Sequence, residues 1–162
     1  MKALDRLAAF AVALGVFAAD RWSKWMVLTH LSPDTVKPVI PGFFNLVHSE
    51  NPGIAFGIFA DDSGRWHTPV LVTFSIVAVA ILAAMLWKID KLDRYSALGL
   101  SLIFGGAMGN LYDRVRVGSV TDFLDFYLRS YHWYVFNVAD SAVCVGAGLL
   151  LLSIFFARPA LP

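Results

Sequence analysis

Twenty-two consecutive residues, Trp66–Trp87, contain no Asp, Glu, Lys or Arg. At about 1.5 Å per residue, such a helix crosses a hydrocarbon core of about 30 Å with some tilt. Three further stretches approach the same length. Residues 7–29 are apolar except for Asp20, Arg21 and Lys24 near their far end, residues 95–112 are free of charge, and residues 133–157 carry only Asp140. Hydrophobic residues make up 58% of the chain and charged residues 15%. Soluble domains hold about 45–50% and about 25%, so the solvent expected here is lipid. The fold class expected is an all-α polytopic membrane protein. Four transmembrane helices, at about 7–29, 66–87, 95–112 and 133–157, would form one domain over 1–162.

The first stretch has features of a cleavable signal peptide, with Lys2 and Arg6 ahead of it and Phe17-Ala18-Ala19 near its end. Asp20, Arg21 and Lys24 stand where cleavage would fall, and three more apolar stretches follow, so a retained helix is expected. Lys2, Arg6, Lys88, Lys91, Arg94 and Arg158 fall together on one side of a four-span layout. Their density favours both termini in the cytoplasm. A net charge of +1 offers no basic field for nucleic acid, and the single cysteine, Cys144, excludes an internal disulfide.

The two outer connections are unlike the short inner turn. Residues 30–65 contain Pro33, Pro38, Pro41 and Pro52 with several glycines, and Val36, Phe44, Leu46 and Val47 suggest short extended pieces. A loop of this length is uncommon without a task. A small extracytoplasmic β element and a short interfacial helix around Ile54–Phe59 are expected. The segment 113–135, rich in Phe, Tyr and Trp, suits the membrane–water interface.

Ionisable residues within lipid are costly and mark either function or a tight pair. Asp140 reads as lying about two turns into the last helix, with 17 uncharged residues after it and no local neutralising group. Asp122 reads as a loop aspartate. The hairpin of the third and fourth spans brings their outer ends together, so the two can meet across 18 positions. Asp125 competes for the same role. Two carboxylates in contact cannot both ionise, so one holds a proton while the other acts as a base on water; the aspartic proteases are the precedent for this pattern. No cofactor is needed, and no metal site is expected, since His30, His48, His67 and His132 are scattered without ligand spacing. Asp20 and Lys24 stand four apart on one helix face, acid first, as a stabilising pair. Gly105 and Gly109 have the spacing that lets helices approach.

These blocks together resemble lipoprotein signal peptidase, the signal peptidase II family: Asp20–Lys24, Asn51–Gly57, Gly105–Arg114, Gly118–Phe123 and Phe136–Ser141. The resemblance covers about 140 residues in the family's order. It implies an aspartic endopeptidase of the bacterial cytoplasmic (inner) membrane, with its site toward the outer leaflet. The implied substrate is a prolipoprotein whose cysteine carries diacylglycerol, cut just before that cysteine, with membrane lipid around it and globomycin as inhibitor. Asp122 and Asp140 match the catalytic dyad. Asp20, Lys24, Asn51, Gly53, Gly106, Asn110, Asp113, Arg114 and Asn137 match the other characteristic positions, Asn51 and Arg114 being the candidates for holding substrate backbone. A small proton-coupled transporter or channel subunit, with Asp140 as relay, is the alternative reading of a carboxylate in mid-lipid.

Overall fold

The computed structural model describes residues 3–33, 35–53, 67–89 and 92–156. The order is α1 (Ala3–His30), β1 (Val36–Ile40), β2 (Phe44–Asn51), α2 (His67–Trp87), α3 (Arg94–Arg116), β3 (Val120–Leu128), β4 (Tyr131–His132) and α4 (Val138–Phe156). The interfacial helix expected around Ile54–Phe59 lies outside the described residues.

By length and composition α2 and α4 are apolar enough to cross a membrane, over Thr68–Trp87 and Val138–Phe155. Only 11% of the α2 window is buried. An apolar helix that buries so little of itself needs lipid around it. In α1 and α3 part of the charge faces inward and much of the apolar surface outward. Asp20, Lys24 and Asp113 are buried, while Leu14, Trp22, Trp25, Leu98 and Val115 are exposed.

Helix α3 is the centre of the bundle and packs on the other three. Ala97, Ser101, Gly105, Gly109 and Asp113 recur every four residues and are all buried. Residues four apart share a helix face, and small ones let the backbones close. A Cβ on Gly105 would meet the Ala13 carbonyl oxygen of α1 at 2.5 Å. On the α4 side, a Cβ on Gly106 would meet the Ala139 oxygen at 2.4 Å, and one on Gly99 the Gly146 oxygen at 2.6 Å. At the opposite end Asp93 caps α3. Its Oδ1 accepts the Tyr95 and Ser96 amides at 2.9 and 3.1 Å, and its Oδ2 accepts the hydroxyls of Ser96 and of Ser153 on α4.

The β element is larger than the sequence suggests. The antiparallel order is β1-β2-β3-β4, so the 113–135 segment supplies half of the strands. Asp122 therefore belongs to a strand and not to a loop. Ile40-Pro41-Gly42-Phe43 forms the β1–β2 turn, with Phe43 N donating to Ile40 O at 3.0 Å and Gly42 at φ 82. Proline followed by a residue of positive φ is the type II pattern. Between β2 and β3 the register passes from Leu46↔Leu124 to Ser49↔Asp122. Two β2 residues thus oppose one on β3, a bulge that re-aims the side chains beyond it.

Helix α4 starts at Val138, later than expected, because 133–136 runs back along β3. Phe136 O accepts the amides of Phe123 and Leu124, and Phe136 N donates to Leu124 O at 3.1 Å. Asp140 therefore lies in the first turn of α4 and not two turns inside it.

Gly106→Ala is expected to destabilise the protein by about 1–3 kcal/mol, the usual cost of overpacking. Gly15→Ala, with nothing within 4 Å of its added Cβ, is expected to be tolerated. Thermal unfolding of the two variants in detergent micelles checks the contrast.

Candidate active site

Asn137 is fully buried and precedes α4. Its Oδ1 accepts the Asp140 amide at 2.9 Å, and Asp140 Oδ2 accepts the Asn137 amide at 3.3 Å. This reciprocal pair is a capping box with Asn at the cap and Asp three residues on. It supplies Asp140 with a local partner that the sequence reading did not foresee. The first turn of a helix also favours negative charge. Asn110 of α3 donates its Nδ2 to Asp140 Oδ1 at 2.8 Å.

The same Asn137 side chain reaches the second aspartate, its Nδ2 donating to Asp122 Oδ1 at 2.7 Å. The other oxygen, Oδ2, accepts Asn51 Nδ2 at 3.0 Å. Asn51 is oriented by its own loop, because its Oδ1 accepts the Gly53 amide at 3.0 Å in an Asx turn. Burial pushes the Asp122 carboxyl up to about 7; the Asn51 and Asn137 donors oppose the rise, and the Asp140 charge adds to it. Asn137 thus touches both aspartates, the Asp122 carboxylate through its side-chain Nδ2 and the Asp140 carboxylate through its backbone N–H, and the Asp140 charge is felt at Asp122.

Behind them lies a second layer of charge. Lys24 and Asp20 on α1 are fully buried and 3.0 Å apart, and Lys24 Nζ is 2.7 Å from Asp113 Oδ2 on α3. Lys24 also donates to Asn110 Oδ1 at 2.9 Å, which turns the Asn110 amide toward Asp140. Asp20 Oδ1 accepts the Ala139 amide at 3.0 Å and so fastens α1 to the start of α4. Gly109 makes room for this carboxylate, since a Cβ there would lie 2.5 Å from Asp20 Oδ2. Gly106 lets α4 approach one turn earlier. Asp20–Lys24 is thus an interior pair bridging three helices, and not the surface pair that i,i+4 spacing alone describes.

Arg114 Nη2 donates to Gly53 O at 3.3 Å and interacts electrostatically with Asp140, Asp122 and Asp113. Asn51 and Arg114, expected to hold substrate backbone, are here bound to Asp122 and Gly53. Asp125, the competing acid, has partners away from Asp140. It is engaged by Asn45 Nδ2 at 2.8 Å and His132 Nδ1 at 2.9 Å. Sequence reading missed Arg21 as part of the site. It pairs with Asp113 and stacks over Tyr112, 4.6 Å from the ring centroid. Its position beside Asp20 was the available signal.

The chain superposes on two structures described as bacterial membrane enzymes solved by the in meso method. One gives TM-score 0.80 at 29% identity, covering 91% of this chain and 87% of that one; the other gives 0.82 at 26%, covering 93% and 94%. The fold is that of a membrane enzyme. Residues 12–156 match the family described as signal peptidase (SPase) II. A lipoprotein signal peptidase of Solibacter usitatus is 54% identical over 149 residues, 92% of this chain and 91% of that protein. One from Geobacter sulfurreducens is 44% identical over 140 residues, 86% of each chain. The chain belongs to the signal peptidase II family. Nothing in these comparisons favours the transporter alternative.

Asn137→Ala removes the cap of α4 and a donor to Asp122 together. Loss of a cap costs about 0.5–2 kcal/mol, and a buried carboxylate oxygen left without its donor adds about 1–3 kcal/mol. A lowered unfolding midpoint together with a loss of cleavage is expected. Unchanged thermal unfolding would count against the bridging role.

Proposed function

We infer that this enzyme removes the signal peptide of prolipoproteins at the membrane, with Asp122 and Asp140 as its catalytic pair. The observation that carries the reading is that one residue, Asn137, donates to both carboxylates, from its side-chain Nδ2 to Asp122 and from its backbone N–H to Asp140. Asp140, in the first turn of α4 and accepting two N–H groups, suits the ionised base. Asp122, buried and held up toward neutrality, suits the acid. A water between them loses a proton to Asp140 as its oxygen attacks the peptide carbonyl. Asp122 hydrogen-bonds the carbonyl oxygen as negative charge develops there. The proton then passes to the leaving nitrogen as the C–N bond breaks.

The remaining assignments belong to the same reading. The chain acts as one peptidase domain with four transmembrane helices, supported by the inward charge and outward apolar surface of α1 and α3. It sits in the bacterial inner membrane with both termini cytoplasmic and the site toward the outer leaflet, as the density of basic residues suggests. The substrate cysteine carries diacylglycerol. Each CH₂ left in lipid contributes about 0.8 kcal/mol to anchoring, so such a substrate must be met within the bilayer. Asp20, Lys24, Asn51, Gly53, Gly106, Asn110, Asp113, Arg114 and Asn137 support the site. Globomycin is the expected inhibitor.

Asp122→Asn and Asp140→Asn are each expected to lower cleavage of a diacylglyceryl-modified precursor by at least about 10³-fold, with the protein still inserted. Wild-type activity in either variant removes the dyad. In the native enzyme Asp122 is neutral below about 7 and ionised above it, so cleavage is expected to decline as pH rises through that value. A pH series with the lipidated precursor reads this directly.

A further inference from the structure

The two aspartates do not stand alone electrically. Among the described residues, the connected cluster holds four carboxylates, Asp20, Asp113, Asp122 and Asp140, and three cations, Arg21, Lys24 and Arg114. The Lys24 and Asp20 side chains are wholly buried, and Asp113 and Asp122 nearly so. An uncompensated charge in such surroundings is expensive. Neutrality of the cluster is reached with one proton on the four acids. Asp20 and Asp113 each contact Lys24 or Arg21, while Asp122 and Asp140 accept only neutral amides directly. The proton therefore belongs on the Asp122–Asp140 pair.

We propose that Lys24 and Asp20, which touch neither Asp122 nor Asp140 directly, set the number of protons on that pair. They act as positioning residues through charge and through Asn110, which accepts from Lys24 and donates to Asp140. The other ionisable groups near the pair have partners of their own. On β2 Glu50 accepts from Ser119 and Thr121 beside His48, and on β3 Asp125 is held by Asn45 and by His132 of β4. Along α4 the only Asp, Glu, Lys or Arg is Asp140. The remaining cation, Arg114, is constant to the comparison below.

This inference rests on the dyad reading, and its test separates the two. Lys24→Met leaves four acids and two cations, so neutrality calls for two protons. Asp20→Asn leaves three and three, so it calls for none. The pH–activity profile is expected to move upward in Lys24→Met and downward in Asp20→Asn, each by about one pH unit, a tenfold change in proton affinity. The double variant restores the balance, and its profile returns to the wild-type position whatever its amplitude. Structural damage alone lowers amplitude and cannot shift two profiles in opposite directions. Arg21→Gln and Asp113→Asn repeat the upward and downward shifts from the neighbouring pair if a first variant fails to fold. The infrared band of protonated carboxyl at neutral pH, read without substrate, should double in Lys24→Met and vanish in Asp20→Asn. Profiles at the wild-type position, shifts in one common direction, or equal bands overturn the proposal. Cleavage retained by Asp122→Asn or Asp140→Asn overturns the dyad reading instead.

Discussion

The arrangement depends on one buried carboxamide. Asn137 closes the first turn of α4 with its oxygen and holds Asp122 with its nitrogen. A carboxamide has one acceptor end and one donor end, so the same side chain can satisfy a helix terminus and a carboxylate together. An aspartate at 137 would bring a further carboxylate with no side-chain donor, and an alanine would take away the acceptor of the Asp140 amide and one of the two donors to Asp122. The position of Asn137 is itself fixed by Phe136, whose backbone bridges Leu124 on β3 and whose ring stacks on Phe126. Strand pairing thus sets the approach of two side chains 18 positions apart in the chain.

Much of this was legible in the residues. Four apolar stretches announced the helices, and the acids within or beside them announced the site. Ends were harder to read. Trp133–Val135 is as apolar as a helix start, but pairing with β3 claimed the backbone first, and α4 begins only at Val138. The strand carrying Asp122 was hidden for a similar reason. Val120–Leu128 is buried over most of its length rather than on alternate positions, so it lacks the period-two signal of a half-exposed strand. The sharing of Asn110 between Lys24 and Asp140 has no sequence signature, because it depends on the crossing of α1, α3 and α4.

The glycines show how closely packing and chemistry are coupled. Gly106 and Gly109 are one turn apart on α3 but serve different neighbours, the Ala139 backbone and the Asp20 carboxylate. Removing side chains at these positions brings α3 near enough to α1 and α4 for Asn110 to span both. A larger residue at either position would lengthen that reach, and the amide network would open before the helices separated.

Ser153 and Asp93 lie far along the bundle from the two aspartates, yet their hydrogen bond has a mechanical consequence. With Gly99 against Gly146 at mid-length and Asn110 against Asp140 at the other end, it pins α3 and α4 along their whole overlap. Two rods fastened at three heights cannot scissor or slide independently. Among the described residues α2 leans chiefly on α3, so the breathing left to the bundle falls to that helix.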